Sequence, residues 1–373
     1  MIVQSHLREY HITCVDDLFL LKKTFFEKKR RFLFLIDKNV WKLYQEKLEN
    51  FCENSTIIFL VASEKTKSLE AIYPLYQKIL ETKLRRNDVI FSLGGGIIQD
   101  IAGYLAGTLY RGLYWIHVPT TLVAQVDSCI GGKVGLNFGG WKNQLGFFYP
   151  PHEIYIDLQF LNTLPYRDMV NGLAEAIKIH ILESKNSFES LQSNFQRVLP
   201  PIFPQNQSLS DIILGTPYGC HPLKKLLEEI IKGSLVLKRR YVEADEFDVE
   251  VRQLLNYGHC FGHAIESASH FDISHGEAVL LGMLMANTIS KQRGFLSTKT
   301  DEEIKAFIFP LVSQMVVWKL DMKQVIEAML HDKKRENDHL SVILLHDFGD
   351  ARKYNDVSLS EVKHTLCNPL VLG

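Results

Sequence analysis

DVIFSLGGGIIQDIAGYLAG, residues 88–107, is the stretch on which the reading of the fold turns. Its first six residues form an apolar, β-rich run, Gly94, Gly95 and Gly96 follow, and from residue 97 to 107 the apolar residues recur at helical spacing. Strand, glycine turn, helix is the opening of a βαβ unit. Consecutive glycines let the backbone turn tightly and approach a ligand, and the free amides of a helix start favour a diphosphate. The spacing departs from the dinucleotide fingerprint, because Gln99 stands where GxGxxG needs its third glycine, and a plain tight turn would use the same residues.

Outward from this stretch, residues 31–37, 56–61 and 114–118 read as further buried strands, and Leu69, Ile72, Leu75, Tyr76 and Ile79 fall at helical spacing within 68–83. Strands alternating with helices predict a parallel sheet with crossover helices. Past about residue 165 the pattern changes to long helical segments at 167–184, 222–241, 253–269 and 276–293. The expectation is therefore an α/β protein with an amino-terminal Rossmann-like parallel-sheet domain over 1–165 and a mainly helical domain over 166–373. A length of 373 residues suits two domains at roughly 150 residues each. The Pro/Gly/Ser/Asn-rich interval 199–219 reads as an exposed loop.

With 46% hydrophobic residues and 42 Lys plus Arg against 43 Asp plus Glu, the chain has globular composition and a net charge of -1. That balance argues against a protein that coats nucleic acid or anionic membrane. The cluster Lys28, Lys29, Arg30, Arg31 reads as a solvated helix end. Cys14, Cys52, Cys129, Cys220, Cys260 and Cys367 are scattered without a CxxC pair, which fits a reducing compartment, the cytoplasm by default. Neither a signal-peptide core nor an apolar run of about 18 residues is present.

Two further segments carry chemistry. HVPTTLVAQVDSCIGGKVGLNFGGWKNQLGFFYPP, residues 117–151, sets Thr120, Thr121, Asp127, Lys133, Lys142 and Asn143 among glycines, a strand-to-loop arrangement suited to cradling an anion. LNYGHCFGHAIESASHFDISHGEAVLLGM, residues 255–283, places His259 and His263 four apart on one helix face, with His275 sixteen beyond the first. Glu175 lies in the apolar helical stretch GLAEAIKIHIL, where a carboxylate is costly to bury unless paired or ligated. Two imidazoles and a carboxylate would make an open zinc site. His180 and His270 read as satisfied core or surface residues, and Cys260, next to His259, should face another side of the helix.

These segments, together with WKNQLGFFYPP, LPYRDMVNGLAEAIK, ADEFDVEVRQLLNYGHCFGHAIE, HGEAV and DKK in that order, resemble the 3-dehydroquinate synthases of the sugar phosphate cyclase family over residues 85–345. The resemblance implies an NAD-binding α/β domain, a helical metal domain and an active site in the cleft between them. It implies Glu175, His259 and His275 as ligands of zinc or cobalt. Asp37, Glu64, Lys67, Gly95, Gly96, Asp100, Thr120, Thr121 and Thr163 would contact NAD, with Lys133 and Lys142 shared between cofactor and substrate. Lys133, Lys178, Asp127 and His263 would be catalytic, and Lys142, Asn143, Lys238, Arg252, Asn256 and Lys333 (or Lys334) would bind substrate. Arg111 would reach the phosphate site of a neighbouring copy, implying a homodimer.

The implied reaction turns 3-deoxy-D-arabino-heptulosonate 7-phosphate, a phosphorylated and carboxylated sugar acid of the shikimate pathway, into 3-dehydroquinate and phosphate. It would proceed by transient oxidation with NAD, phosphate elimination, re-reduction and intramolecular aldol closure. Gln99, Trp141 and the length of the 199–219 interval depart from the family pattern without removing a group that this chemistry needs. Cyclases that form inosose or valiolone act on substrates without the carboxylate, and retention of Lys238, Arg252 and Asn256 argues against them. A metal-dependent polyol dehydrogenase of the same fold would be a net oxidoreductase, and the DSCIGGK and WKN segments argue for a phosphorylated substrate instead. A non-catalytic relative would have lost a ligand or site lysine, and neither is missing.

Overall fold

The structure, a computed structural model, describes residues 1–27, 30–139, 141–198, 222–270, 272–312, 322–330 and 339–366. Lys28, Lys29, the 199–219 interval, Cys220, Lys333, Lys334 and Cys367 lie outside the described residues. The chain divides into two compact units at residue 165, and the first also takes residues 222–247. The helix Pro222–Ala244, which the sequence division assigns to the second domain, thus packs within the first.

In the first unit the strands are β1 (Ile2–Val3), β2 (Tyr10–Val15), β3 (Phe32–Asp37), β4 (Thr56–Leu60), β5 (Val89–Gly94), β6 (Tyr114–Pro119), β7 (Lys133–Phe138), β8 (Trp141–Phe148) and β9 (Glu153–Asp157). Seven of them form one sheet in the order β1-β2-β9-β6-β5-β3-β4, parallel except for the β1–β2 pair. Alternation along β3 explains the layering. Leu33 and Leu35 face a core with Ile98, Ile101 and Leu105 of the helix Gly96–Thr108, while Phe32, Phe34 and Ile36 face Phe25, Phe51 and Phe160. Burial of both faces is what a parallel sheet covered by crossover helices requires. From β3 the chain goes outward to β4 and returns to β5 on the other side of β3, so the order switches between β3 and β5, and ligands of such sheets sit at the carboxyl ends of strands there. Those ends are Asp37 and Gly94.

The 117–151 segment contains an antiparallel hairpin, β7–β8, where the sequence suggests only strand and loop. Its lysines and glycines hide the period-2 pattern. The strands foreseen at 31–37, 56–61, 88–93 and 114–118 are found within a residue of those bounds.

The second unit is helical, with Tyr166–Glu183, Lys185–Val198, His259–Ala268, His275–Gln292, Thr298–Ile308, Met322–Leu330 and Leu359–Leu366, joined by the hairpin β10 (His339–Asp347) and β11 (Asp350–Ser358). The helix expected over 253–269 is broken. A 3-10 turn covers Val251–Asn256, Gly258 takes the left-handed conformation (φ 80°), and the helix starts at His259. Arg293 closes the His275–Gln292 helix by bonding Glu361 Oε1 at 2.7 Å and Asp356 Oδ1 at 2.8 Å. Among the described residues no helix is long and apolar enough to cross a membrane.

His117 on β6 is fully buried, its Nδ1 2.9 Å from Ser92 Oγ and its Nε2 without a partner. Burial pulls its pKa down to about 3. The unfolded chain takes up this proton below its ordinary value of 6.5 and the folded protein only near 3, so stability is complete above pH 6.5 and falls as pH drops between those values. At full linkage the slope is about 1.4 kcal/mol per pH unit. We expect His117→Gln to lower stability at pH 7.5 but to reduce the further loss between pH 7.5 and 5, measured by urea unfolding; an unchanged pH dependence would refute the assignment.

Candidate active site

In the second unit Glu175, on the Tyr166–Glu183 helix, is 1% exposed. Its Oε2 accepts from Lys178 Nζ one helical turn on, and its Oε1 lies 3.0 Å from His275 Nε2 and 3.4 Å from His259 Nε2. Burial opposes the charge of Glu175, but Lys178 and His259 outweigh it and hold the carboxyl well below its usual range. His275 is the first residue of its helix, after Ser274, which forms a capping box with Glu277. His259 likewise opens its helix, so two helix starts aim imidazoles at one carboxylate oxygen.

Backbone approach makes this possible. A Cβ on Gly282 would come within 2.0 Å of the Gly258 carbonyl oxygen, and one on Gly258 within 2.6 Å of Met283 Cγ. The two histidine helices therefore meet with almost nothing between them.

The ring nitrogens are sorted by their other contacts. His259 Nδ1 lies 3.2 Å from Tyr257 O, and a carbonyl can only accept, so the proton is on Nδ1 and Nε2 is left as a lone-pair donor. Burial, and then Lys178, lower the pKa of His259 and keep it neutral. His275 contacts carboxylates through both nitrogens, Glu266 Oε2 at 3.1 Å from Nδ1 and Glu175 from Nε2. Burial disfavours its charge, but the two acids prevail and push the pKa up to about 10. The coordinating atoms of Glu175, His259 and His275 lie within 4.8 Å of one another. One carboxylate oxygen and two imidazole nitrogens at this spacing fit a divalent zinc-type ion with open positions, and the ion would displace the Nε2 proton of His275.

Sequence reasoning missed Glu266, which is 7% exposed and orients His275 from behind. Its place in ESASH, three residues after His263, does not set it apart from a solvated helix face. His263 is exposed, its ring centroid 5.4 Å from that of His259. Beside the triad is a cavity of about 360 Å³ lined in part by Asn256, His259, Cys260 and His263 and, from β10–β11, by His339 and Lys353. Cys260 lines this cavity as well, but it is not among the residues whose ligand atoms converge. Arg252, 3% exposed, sits on the 3-10 turn that ends at Asn256. His180 bonds Ser187 Oγ at 2.8 Å in the core and His270 is exposed, as expected.

In the first unit the residues fall into three groups. Lys67, 6% exposed, donates to Asp100 Oδ2 at 2.9 Å and Asn143 Oδ1 at 2.8 Å. Glu64 accepts from Asn137 Nδ2 at 2.8 Å and lies 3.7 Å from Lys142 Nζ. Burial raises the pKa of Asp100 although Lys67 opposes the shift. A second group surrounds the glycine turn. No side chain caps the Gly96–Thr108 helix at Gly95, a Cβ there would lie 2.9 Å from Thr121 Cγ2, and Thr120 N donates to Gly94 O at 3.1 Å. Uncapped amides beside a bare backbone fit a dinucleotide diphosphate. In the third, Lys238 reaches Asp127, 2.5 Å from its carbonyl oxygen and 2.8 Å from Oδ1.

Other expected residues stand apart from these groups. Asp37 caps the Lys38–Leu43 helix through Asn39 N at 2.8 Å, and Thr163 Oγ1 pairs with Tyr44 OH at 3.1 Å. Lys133 is exposed at the start of β7. Arg111 is exposed on a turn with φ 64°.

Comparison with known proteins also divides the chain in two, at residue 171, and assigns the helix Pro222–Ala244 to the second part. Residues 57–171 match the family profile described as 3-dehydroquinate synthase N-terminal, and 172–335 the one described as 3-dehydroquinate synthase C-terminal. The chain is 32% identical over 349 residues to the 3-dehydroquinate synthase of Streptococcus equi subsp. equi, covering 92% of this chain and 90% of that protein. It is 37% identical over 312 residues to that of Clostridium perfringens, covering 83% of each. Among solved structures, a 2-deoxy-scyllo-inosose synthase complexed with carbaglucose-6-phosphate, NAD+ and Co2+ superposes with a TM-score of 0.81 at 23% identity over 98% of both chains. A 2-epi-5-epi-valiolone synthase from Streptomyces hygroscopicus, with NAD+ and Zn2+ bound, gives 0.76 at 24% identity over 96% of this chain and 95% of that one. These two likenesses concern the fold.

Because Glu266 fixes the tautomer and orientation of His275, Glu266→Gln should weaken zinc binding by roughly 10- to 100-fold while Glu175 and both histidines remain. Competition with a chromophoric chelator measures this, and unchanged affinity would show that Glu266 has no part in the site.

Proposed function

The chain belongs to the 3-dehydroquinate synthase family, and from that premise we propose that it converts 3-deoxy-D-arabino-heptulosonate 7-phosphate into 3-dehydroquinate and inorganic phosphate, with NAD and a zinc or cobalt ion as cofactors. The observation that carries the reading is the convergence of Glu175, His259 and His275 on one point, in a chain that also has the uncapped glycine turn at Gly95.

When bound at the triad, the ion would act as a Lewis acid that acidifies a chelated substrate hydroxyl, and NAD would supply a reversible two-electron acceptor. The chain's own residues have separate tasks. Lys178 keeps Glu175 ionised, hence able to ligate, and leaves a fixed positive charge beside the oxygen that must lose its proton. Tyr257 O fixes the protonated nitrogen of His259 and so presents the other. Gly95 and Gly96 offer amides to the cofactor diphosphate, and Asp37, Glu64, Lys67, Asp100, Thr120, Thr121 and Thr163 supply the remaining cofactor contacts.

Arg252 provides a planar fork for the substrate carboxylate, aided by Asn256 four residues on. Lys133, Lys142 and Asn143 hold the phosphate, which must be immobilised before it can leave. Asp127 orients the ring hydroxyls through its link to Lys238. This carboxylate set favours the synthase over the inosose and valiolone cyclases. Exposed Arg111 suits a contribution to a second copy, so the working form is a homodimer, and the thiols of Cys14, Cys52, Cys129 and Cys260 accord with the cytoplasm.

With zinc, NAD and the heptulosonate phosphate, the purified protein should release phosphate with no net accumulation of NADH. Absence of phosphate release, with an authentic synthase active in parallel, would refute the reading, and accumulating NADH would point to a polyol dehydrogenase. His275→Ala should lose bound metal and activity together. Arg252→Ala should lower kcat/KM by at least about 100-fold, the cost of about 3 kcal/mol from a buried charge-assisted pair; near-normal kinetics would remove Arg252 from the carboxylate site.

A further inference from the structure

Gln99 is the residue in the glycine-rich segment that the family pattern does not explain, and the structure gives it a partner. It lies in the first turn of the Gly96–Thr108 helix and is 4% exposed. Its Nε2 donates to Ser128 O at 2.7 Å, and Ser128 Oγ donates back to Gln99 Oε1 at 3.1 Å. One amide thus holds both the main chain and the side chain of Ser128, the last residue of the turn Ala124–Ser128.

That turn is wound more loosely than an α-helix, with Cys129 N donating five residues back to Ala124 O at 3.1 Å. Such turns lack the regular bonding that fixes an α-helical backbone, so external bonds decide where their carbonyls and side chains point. Two are present. Gln125 Nε2 donates to Pro119 O and Asp157 O, both at 3.0 Å, and anchors the turn to the sheet. Gln99 anchors its other end. Between them stands Asp127, bound through its carbonyl and carboxylate to Lys238. Ser128 also packs over the glycine turn, its Oγ 3.4 Å from where a Cβ on Gly96 would lie.

We propose that Gln99 is a positioning residue, which through Ser128 sets the orientation of Asp127 and Lys238 relative to the glycine turn. A small residue in its place would leave the Ser128 carbonyl to water or to a different contact, so this chain has a direct tie between cofactor helix and substrate-orienting turn. The inference rests on the proposed synthase reaction for its kinetic consequence, but its structural content is independent of it.

The test uses Gln99→Met, which keeps the side-chain length and apolar stem and removes both bonds, with Ser128→Ala as a milder variant that removes only the Oγ bond. In the phosphate-release assay Gln99→Met should lose roughly 10- to 100-fold in kcat/KM for the heptulosonate phosphate, the order expected when reacting groups are misplaced by less than an ångström or so. The Kd for NAD should stay within about twofold. Ser128→Ala should fall between the variant and the wild type. Hydrogen exchange of the peptide covering Ala124–Cys129 should accelerate in Gln99→Met, at unchanged exchange in β3 and β5. Wild-type kcat/KM in Gln99→Met, or a defect confined to NAD binding, would overturn the proposal. Should the wild type itself release no phosphate, the synthase reading fails, and the exchange measurement alone decides on Gln99: unchanged exchange at 124–129 overturns its positioning role.

Discussion

A carboxylate that is 1% exposed and yet ionised sets the terms for the second unit. Breaking a buried ion pair by removing one partner typically costs about 3–5 kcal/mol, since the remaining charge has nowhere to go. Glu175 meets that constraint by dividing its oxygens, one toward Lys178 on its own helix and one toward His259 and His275 on two others. The i, i+3 spacing supplies the first partner locally. The second requires that two helices start at the same place, and this forces the glycine contacts at 258 and 282 and the break at residue 258. The capping box at Ser274 and the carbonyl of Tyr257 then fix how each imidazole is presented.

The first unit meets a similar requirement differently. Its cluster is built on a buried cation, Lys67, with a carboxylate and an amide as acceptors. Asp100 is raised by burial where Glu175 is lowered, because Glu175 has a lysine and two imidazoles around it and Asp100 a single lysine with Glu64 nearby. Asn143 joins the cluster from β8 with a left-handed backbone (φ 52°), a conformation that asparagine tolerates better than most residues. The hairpin that carries Asn143 also brings Asn137 to Glu64, and this network ties β7–β8 to the loop before the helix Leu69–Glu81.

What was legible in the sequence follows from how strongly each feature depends on local pattern. The core strands of the sheet are uninterrupted apolar runs, since both faces are buried, and they read directly. The hairpin β7–β8 did not, because glycines, lysines and asparagines interrupt its alternation of apolar and polar residues. The helix over 253–269 was expected to be continuous because periodicity is blind to one left-handed glycine. Glu175 was conspicuous in the apolar stretch GLAEAIKIHIL and His259, His263 and His275 by their spacing, whereas the choice of His259 and His275 among them came from the family resemblance. Glu266 was not conspicuous, as a glutamate within ESASH looks like a solvated face until the partner nine residues away is known. The place of the helix Pro222–Ala244 depends on tertiary packing, which no local pattern carries.

Near-neutral net charge hides an uneven distribution. Among the described residues the buried lysines and arginines are Lys67, Lys178, Lys238 and Arg252, and all four are positions singled out for ligand contact. Desolvating a cation is unfavourable, so a chain free to place its 42 basic residues would leave them in water. Three of the four lie against carboxylates, Asp100, Glu175 and Asp127. Each carboxylate neutralises its cation and orients it within the fold. Binding of an anion at such a position is then largely an exchange of one negative partner for another, or a sharing between two, with no need to desolvate the cation anew. The cost of dehydrating these groups is met in folding, and the strength with which each carboxylate holds its lysine limits how tightly a ligand anion can bind there.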